Sequence, residues 1–158
     1  MRRPIKHKRV IEPDHRYSSV LVSQLINRVM YEGKKSLATR IVYQALEKAA
    51  ETLKKSALEV LDLAITNAGP TMELKSRRVG GANYQVPIEV KPERRIQLAL
   101  RWMIDSARGG KAKAMDAKLA EEFINACNNT GNAIKKKADV HRMADANRAF
   151  AHLAWGHR

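Results

Sequence analysis

The spacing of apolar residues changes its period twice along the chain, from helical to alternating and back, and these changes constrain the fold more than any other feature. Over residues 17–68 the apolar side chains recur every three or four positions, which is typical of helices that pack by one face. Over residues 71–90 they alternate with polar side chains on either side of Gly80 and Gly81, which indicates a β-hairpin. Over residues 92–150 the helical period returns.

These segments predict a mainly α-helical fold: a single domain of six helices with an inserted, protruding β-hairpin at about 71–90. Ser56 and Glu59 have the spacing of a capping box and predict the start of the third helix. Residues 1–16 are basic and have no apolar period, which predicts a flexible arm. Residues 17–158 then form the folded domain, and a chain of 158 residues is of single-domain size.

The charge is large and unevenly distributed. The chain has 30 Lys and Arg against 16 Asp and Glu, a net charge of +14, yet residues 37–65 carry four of each sign and are neutral. A neutral side and a basic side predict a polyanionic partner, and nucleic acid is the usual one. Binding to an anionic membrane would need a basic amphipathic helix or a lipidation signal, and neither is evident. A helix-turn-helix DNA reader is disfavoured because the second and third helices are the neutral ones.

Enzymatic and metal-binding patterns are weak. There is one cysteine, Cys127, and none of the five histidines pairs with it or with another histidine at a metal-ligand spacing. The sequence therefore predicts no enzyme, no metal and no cofactor. Glu121 and Glu122 are predicted to lie on a solvated surface. Aromatic residues make up only 5% of the chain, so a base-stacking platform for single strands is disfavoured, and recognition of folded RNA by shape and phosphates is favoured.

Three basic residues, Lys75, Arg77 and Arg78, precede the Gly80-Gly81 turn of the predicted hairpin. Guanidinium groups bind phosphates bidentately, and glycines let a backbone approach a ligand closely. The tip of the hairpin is therefore predicted to contact nucleic acid.

Two helices carry further basic groups. Arg94, Arg101 and Arg108 are seven residues apart, so they share one face of the fourth helix, and Arg95 lies beside them. Such a ridge is predicted to follow a phosphate backbone. The sixth helix is predicted to open with the three lysines of residues 135–137. Because cations oppose the macrodipole at a helix N-terminus, these lysines are predicted to contact a partner.

Several segments, in order along the chain, resemble the bacterial small-subunit ribosomal protein seven family (the universal S-seven family). They are GKK at 33–35, VGGANYQVP at 79–87, ALRW at 99–102 and KKKADVHRMADANRAFAH at 135–152. The resemblance covers essentially the whole length. It implies a helical domain with a protruding β-ribbon that is a primary binder of small-subunit ribosomal RNA. It further implies that the protein organises assembly of the subunit head, near the exit-site tRNA and the mRNA exit path.

The residues assigned to these contacts fall into two groups. Those expected to bind rRNA are Arg2, Arg3, Lys6, Lys8, Arg9, Arg16, Lys34, Lys35, Lys75, Arg77, Arg78, Arg94, Arg95, Arg101 and Arg108. Those expected near tRNA and mRNA are Gly80, Gly81, Asn83, Tyr84, Lys135, Lys136, Lys137 and Arg142. The implied protein partners are ribosomal proteins nine and eleven of the small subunit, the implied location is the cytoplasmic ribosome, and no membrane partner is expected.

Two other functions stay open on the sequence. A free-standing regulator, such as a translational repressor, could use the same basic surface on mRNA. An RNA-processing enzyme is a more distant alternative because no catalytic constellation stands out. Co-sedimentation with small ribosomal subunits distinguishes the ribosomal role from these two alternatives.

Overall fold

A computed structural model describes residues 10–110 and 114–154, and this part of the chain is mainly helical, as the sequence predicts. The six α-helices it contains are Val20–Val29 (α1), Lys35–Leu53 (α2), Ala57–Ala68 (α3), Pro92–Gly109 (α4), Met115–Cys127 (α5) and Asn132–Ala146 (α6). Two strands, Met72–Val79 (β1) and Ala82–Glu89 (β2), lie between α3 and α4. A 3₁₀ helix, Arg148–Leu153, follows α6.

The local signals in the sequence set several of these boundaries. The Ser56 hydroxyl accepts from the Glu59 N–H at 3.3 Å, and the Glu59 carboxylate accepts from the Ser56 N–H at 3.2 Å, so the predicted capping box is confirmed. Gly33 has a φ of +73° in the turn between α1 and α2. Pro92 is the first residue of α4, where its fixed φ suits a helix and its missing N–H costs no hydrogen bond.

The core lies among α1 to α5, each of which buries one face. Phe123 of α5 is fully buried together with Leu25 of α1, Leu46 of α2, Leu61 of α3 and Leu100 of α4. The neutral α2 packs on α1, α3 and α5, and it makes no packing contact with α4 within the described residues. The neutral α2 therefore lies apart from the basic α4, whereas α3, the other neutral helix, packs on α4 and α6. The two-sided arrangement predicted from the charge pattern thus holds for α2 and not for α3.

The β-hairpin is antiparallel and in register, with Met72 opposite Glu89 and Val79 opposite Ala82. A two-stranded ribbon has little stability of its own in water. Here α6 packs on both strands and the 3₁₀ helix packs on β2. The C-terminal part of the chain therefore supplies the surface that the hairpin needs.

Two expectations about the C-terminal third are wrong. The helix predicted to open at the lysines of 135–137 begins at Asn132, after Gly131 with a φ of +92°. Glu122, expected on a solvated surface, is only 6% exposed. Both errors have one cause: the Glu122 carboxylate accepts from the Ala133 N–H at 3.0 Å and from the Ser106 hydroxyl at 2.9 Å. This buried acid accepts from one N–H of the first turn of α6 and so caps the start of that helix.

Candidate nucleic-acid interface

The residues at the tip of the hairpin are exposed to solvent within the described part of the chain. Gly80 and Gly81 form the turn with φ of +58° and +91°, a conformation that glycine adopts without strain. Arg78 and Asn83 face each other across the strands and are both exposed. Lys75 is also exposed, and its ammonium lies 3.6 Å from the Glu73 carboxylate. The tip thus presents cations and backbone groups to a ligand.

The next cross-strand pair has a different environment. Arg77 and Tyr84 face each other, and both are half-buried under the C-terminal segment. The Tyr84 ring packs on Phe150 with centroids 5.2 Å apart, and the Arg77 guanidinium donates to the Leu153 carbonyl. Of the residues predicted at the hairpin, these two hold the 3₁₀ helix against β2. The sequence gives no sign of this contact because it joins positions more than sixty residues apart.

The predicted ridge on α4 is only partly available. Arg101 is exposed and has no hydrogen bond or ion pair with the described residues. Arg94 donates through Nε to the Glu73 carboxylate at 3.2 Å. Arg108 donates to the carbonyls of Arg28 and Val29 at 3.3 and 3.4 Å, so it caps the C-terminal end of α1. Among the three arginines of the ridge, Arg101 is therefore the one whose charge is most accessible to a ligand.

Arg28 is a basic residue of this face that the sequence reasoning missed. It lies near the end of α1, and α1 packs against α4. Burial lowers the pKa of Arg28, and the charges of Arg101 and Arg94 lower it further. Three guanidinium groups from two helices thus share one region. Nothing in the apolar period of α1 or α4 indicates that these helices are neighbours, so no local signal could have found the cluster.

Arg95, which the sequence predicts beside the ridge, faces away from it. Its guanidinium donates to the Thr66 carbonyl at 3.0 Å, and its Nε is buried with no partner among the described residues. A Cβ at Gly69 would lie 2.7 Å from Arg95 Cγ and Nε. Gly69 therefore ends α3 and also leaves room for this side chain.

The lysines of α6 divide in the same way. Lys135 and Lys136 are exposed, whereas Lys137 donates to the Asn67 carbonyl near the end of α3 at 2.7 Å. Burial lowers the pKa of Lys137, and the charge of Arg95 adds to the effect. Arg142, one of the residues expected near tRNA and mRNA, is exposed and pairs with Asp139 at 2.8 Å.

His141 connects α6 to the base of the hairpin. Its Nε2 accepts from the Thr71 N–H at 3.1 Å, so the ring is neutral with its proton on Nδ1. Burial lowers the pKa of His141, and the nearby charge of Lys137 lowers it further. The imidazole acts as a structural acceptor here.

The remaining predicted cations lie at the N-terminal side. Lys34 and Lys35 are exposed at the start of α2, and Lys34 pairs with Glu32 at 2.9 Å. Arg16 lies 2.5 Å from the Glu47 carboxylate and over the Tyr43 ring at 5.3 Å. The end of the predicted arm is thus attached to α2. Arg2, Arg3, Lys6, Lys8 and Arg9 lie outside the described residues, and the flexible arm stays a prediction.

Within residues 10–110 and 114–154 no three His, Cys, Asp or Glu side chains are grouped so that they could hold a metal ion. None of the helices in that part of the chain is long and apolar enough to cross a membrane.

Comparison with known protein families and known proteins gives one consistent result. Residues 1–148 match the family described as ribosomal protein S7p/S5e. The small ribosomal subunit protein uS7 of Chloroflexus aggregans is 61% identical over 151 residues, which are 96% of each chain. Those of Thermosipho melanesiensis and Thermotoga maritima are 59% and 57% identical over 155 residues, 98% of this chain and 100% of each relative. The chain therefore belongs to the ribosomal protein S7p/S5e family.

Proposed function

We propose that this protein is a structural constituent of the small ribosomal subunit in the cytoplasm and binds its rRNA directly. The observation that carries the proposal is the placement of Arg78 and Arg101: both are exposed, on the hairpin and on α4, while the neutral α2 packs elsewhere. Net charge of +14 on a chain with a neutral side concentrates the attraction for phosphates on the other side. The protein acts by binding and not as an enzyme.

The finer role follows from the family resemblance. The protein is a primary binder, one that joins rRNA without other proteins, and it organises assembly of the subunit head. Ribosomal proteins nine and eleven are its protein neighbours. The hairpin tip and the exposed lysines of α6 are the parts near the exit-site tRNA and the mRNA exit path. Support for this assignment is that Gly80, Gly81 and Asn83 are open to solvent, as are Lys135 and Lys136.

Reconstitution with purified components tests both the direct binding of rRNA and the role in assembly. The protein is mixed with small-subunit rRNA alone, and binding is measured at increasing salt. We expect tight binding whose logarithm falls by roughly 0.7–0.9 per neutralised phosphate for each unit of log salt. Small-subunit protein nine should then associate more strongly with the preformed complex than with bare rRNA.

Two results would contradict the proposal. A flat salt titration would remove its electrostatic basis. Preference for an mRNA over small-subunit rRNA, with no co-sedimentation on small subunits, would favour the free-standing regulator instead.

A further inference from the structure

A groove between α1 and α4 is lined by side chains that the basic patches do not explain. It has a volume of about 240 Å³, and its lining residues are Ile11, Gln24, Asn27, Arg28 and Gln97. Three of the five are carboxamides, each of which offers both a donor and an acceptor. None of the three has a side-chain hydrogen bond within residues 10–110 and 114–154. Their hydrogen-bonding capacity is therefore available to a ligand.

The surroundings of the groove indicate the charge of that ligand. Arg28 is part of the lining, and the charges of Arg94 and Arg101 act on it from α4. Three guanidinium groups that repel one another are stabilised when an anion lies among them. A nucleic acid backbone provides such anions at regular intervals on both sides of a groove.

The carboxamides indicate which chemical group of the ligand lies in the groove. Phosphate oxygens only accept hydrogen bonds, so lysine or arginine alone would suffice to bind them. A carboxamide matches a group that both donates and accepts, and the ribose 2′-hydroxyl is such a group. In an A-form RNA duplex the wide, shallow minor groove displays 2′-hydroxyls, whereas the major groove is too deep and narrow for side chains.

Stacking on an unpaired base fits this groove less well. No aromatic side chain is among its lining residues. Trp102, the tryptophan of α4, is partly buried against the core. Single-strand binding relies on exposed aromatic side chains as stacking surfaces, and this region lacks one within the described residues.

We propose that Gln24, Asn27 and Gln97 bind ribose 2′-hydroxyls in the minor groove of an RNA duplex, with the neighbouring arginines on the flanking phosphates. The inference rests on the rRNA binding proposed above and gives that binding a geometry, in which α1 and α4 lie side by side along the minor groove. It also makes this groove the place where the protein distinguishes RNA from DNA, since DNA has no 2′-hydroxyl.

Interference mapping with 2′-deoxynucleotides tests the proposal. Small-subunit rRNA is transcribed with scattered 2′-deoxy positions, and molecules bound by the protein are separated from unbound ones. For the wild type we expect a few base-paired positions at which deoxy substitution is depleted from the bound pool. Asn27→Ala and Gln97→Ala should each abolish depletion at part of that set. Each should weaken binding by roughly 2- to 12-fold, the net effect of one hydrogen bond, without changing the salt slope.

The design separates the possible failures. Asn27 and Gln97 are exposed, so their truncation should leave the circular dichroism and melting temperature unchanged. Gln44→Ala, an exposed carboxamide on α2, is the matched control and should leave the pattern intact. If the wild type does not bind the rRNA, the proposed function fails. If it binds but Asn27→Ala and Gln97→Ala give the wild-type interference pattern, or the sensitive positions are all single-stranded, the minor-groove inference is overturned while rRNA binding stands.

Discussion

Replacing Arg101 with alanine should weaken binding of small-subunit rRNA by about 10- to 150-fold. Arg101 is exposed on α4 and has no partner among the described residues, so its full charge can reach a phosphate. A hydrogen bond to a charged group contributes roughly 1.5–3 kcal/mol, which corresponds to that range of affinity. The salt slope should also fall by roughly 0.7–0.9, the share of one phosphate. Arg94→Ala should cost less, because Arg94 already pairs with Glu73.

The assay is filter retention of labelled rRNA at several salt concentrations, with melting temperatures measured in parallel. Arg40→Ala is the matched control, since Arg40 is also exposed but lies on the neutral α2. Neither variant should change the melting temperature much, because exposed charges contribute little to folding. If Arg40→Ala reduced affinity and salt slope as much as Arg101→Ala, the binding face would not be specific to α4 and the reasoning would be refuted.

Three further predictions concern the scaffold. Glu122→Ala leaves the Ala133 N–H unsatisfied and should lower the free energy of unfolding by about 3 kcal/mol. This corresponds to a melting temperature lower by about 6–12 °C, and a drop under about 2 °C would contradict the prediction. The pKa of His141 is lowered in the fold, so the unfolded chain takes up the proton more readily than the folded chain. The contribution of His141 to stability should therefore be full above about pH 6.5 and be lost as the pH falls below that value. His141→Gln retains an acceptor for the Thr71 N–H and should flatten this loss when the melting temperature is measured against pH. Phe150→Ala should speed hydrogen exchange of the hairpin amides by roughly 2- to 12-fold while exchange in α4 is unchanged, and equal acceleration in both elements would argue against a local contact.

Local signals in the sequence account for much of the fold. The Ser56–Glu59 capping box and the Gly80-Gly81 turn each depend on residues within a few positions of one another, so they can be inferred from spacing alone. The same holds for the faces of α1 to α5, because the apolar period records which side of each helix is buried.

The parts that could not be inferred depend on contacts distant in sequence. Glu122 is a buried cap only because the start of α6 packs against α5. Without that contact, two consecutive glutamates on a helix indicate a solvent-exposed surface. Arg28 joins the α4 arginines only because α1 lies beside α4. Arg108 shows the converse, since a ridge residue is taken up in capping α1. The sequence states directly which residues are basic, whereas tertiary packing determines which of them are available to bind a ligand.

Crosslinking followed by peptide mapping on assembled small subunits tests the central claim most directly. Subunits containing this protein are irradiated, digested with protease and nuclease, and searched for peptides joined to rRNA. We predict crosslinks in the hairpin tip around Arg78, in α4 around Arg101 and at the α1–α4 groove. Few or none are expected on the exposed face of α2 around Arg40 and Gln44, which lies beyond the lysines at the start of that helix. Crosslinks concentrated on α2 and absent from the hairpin and α4 would contradict the two-sided account.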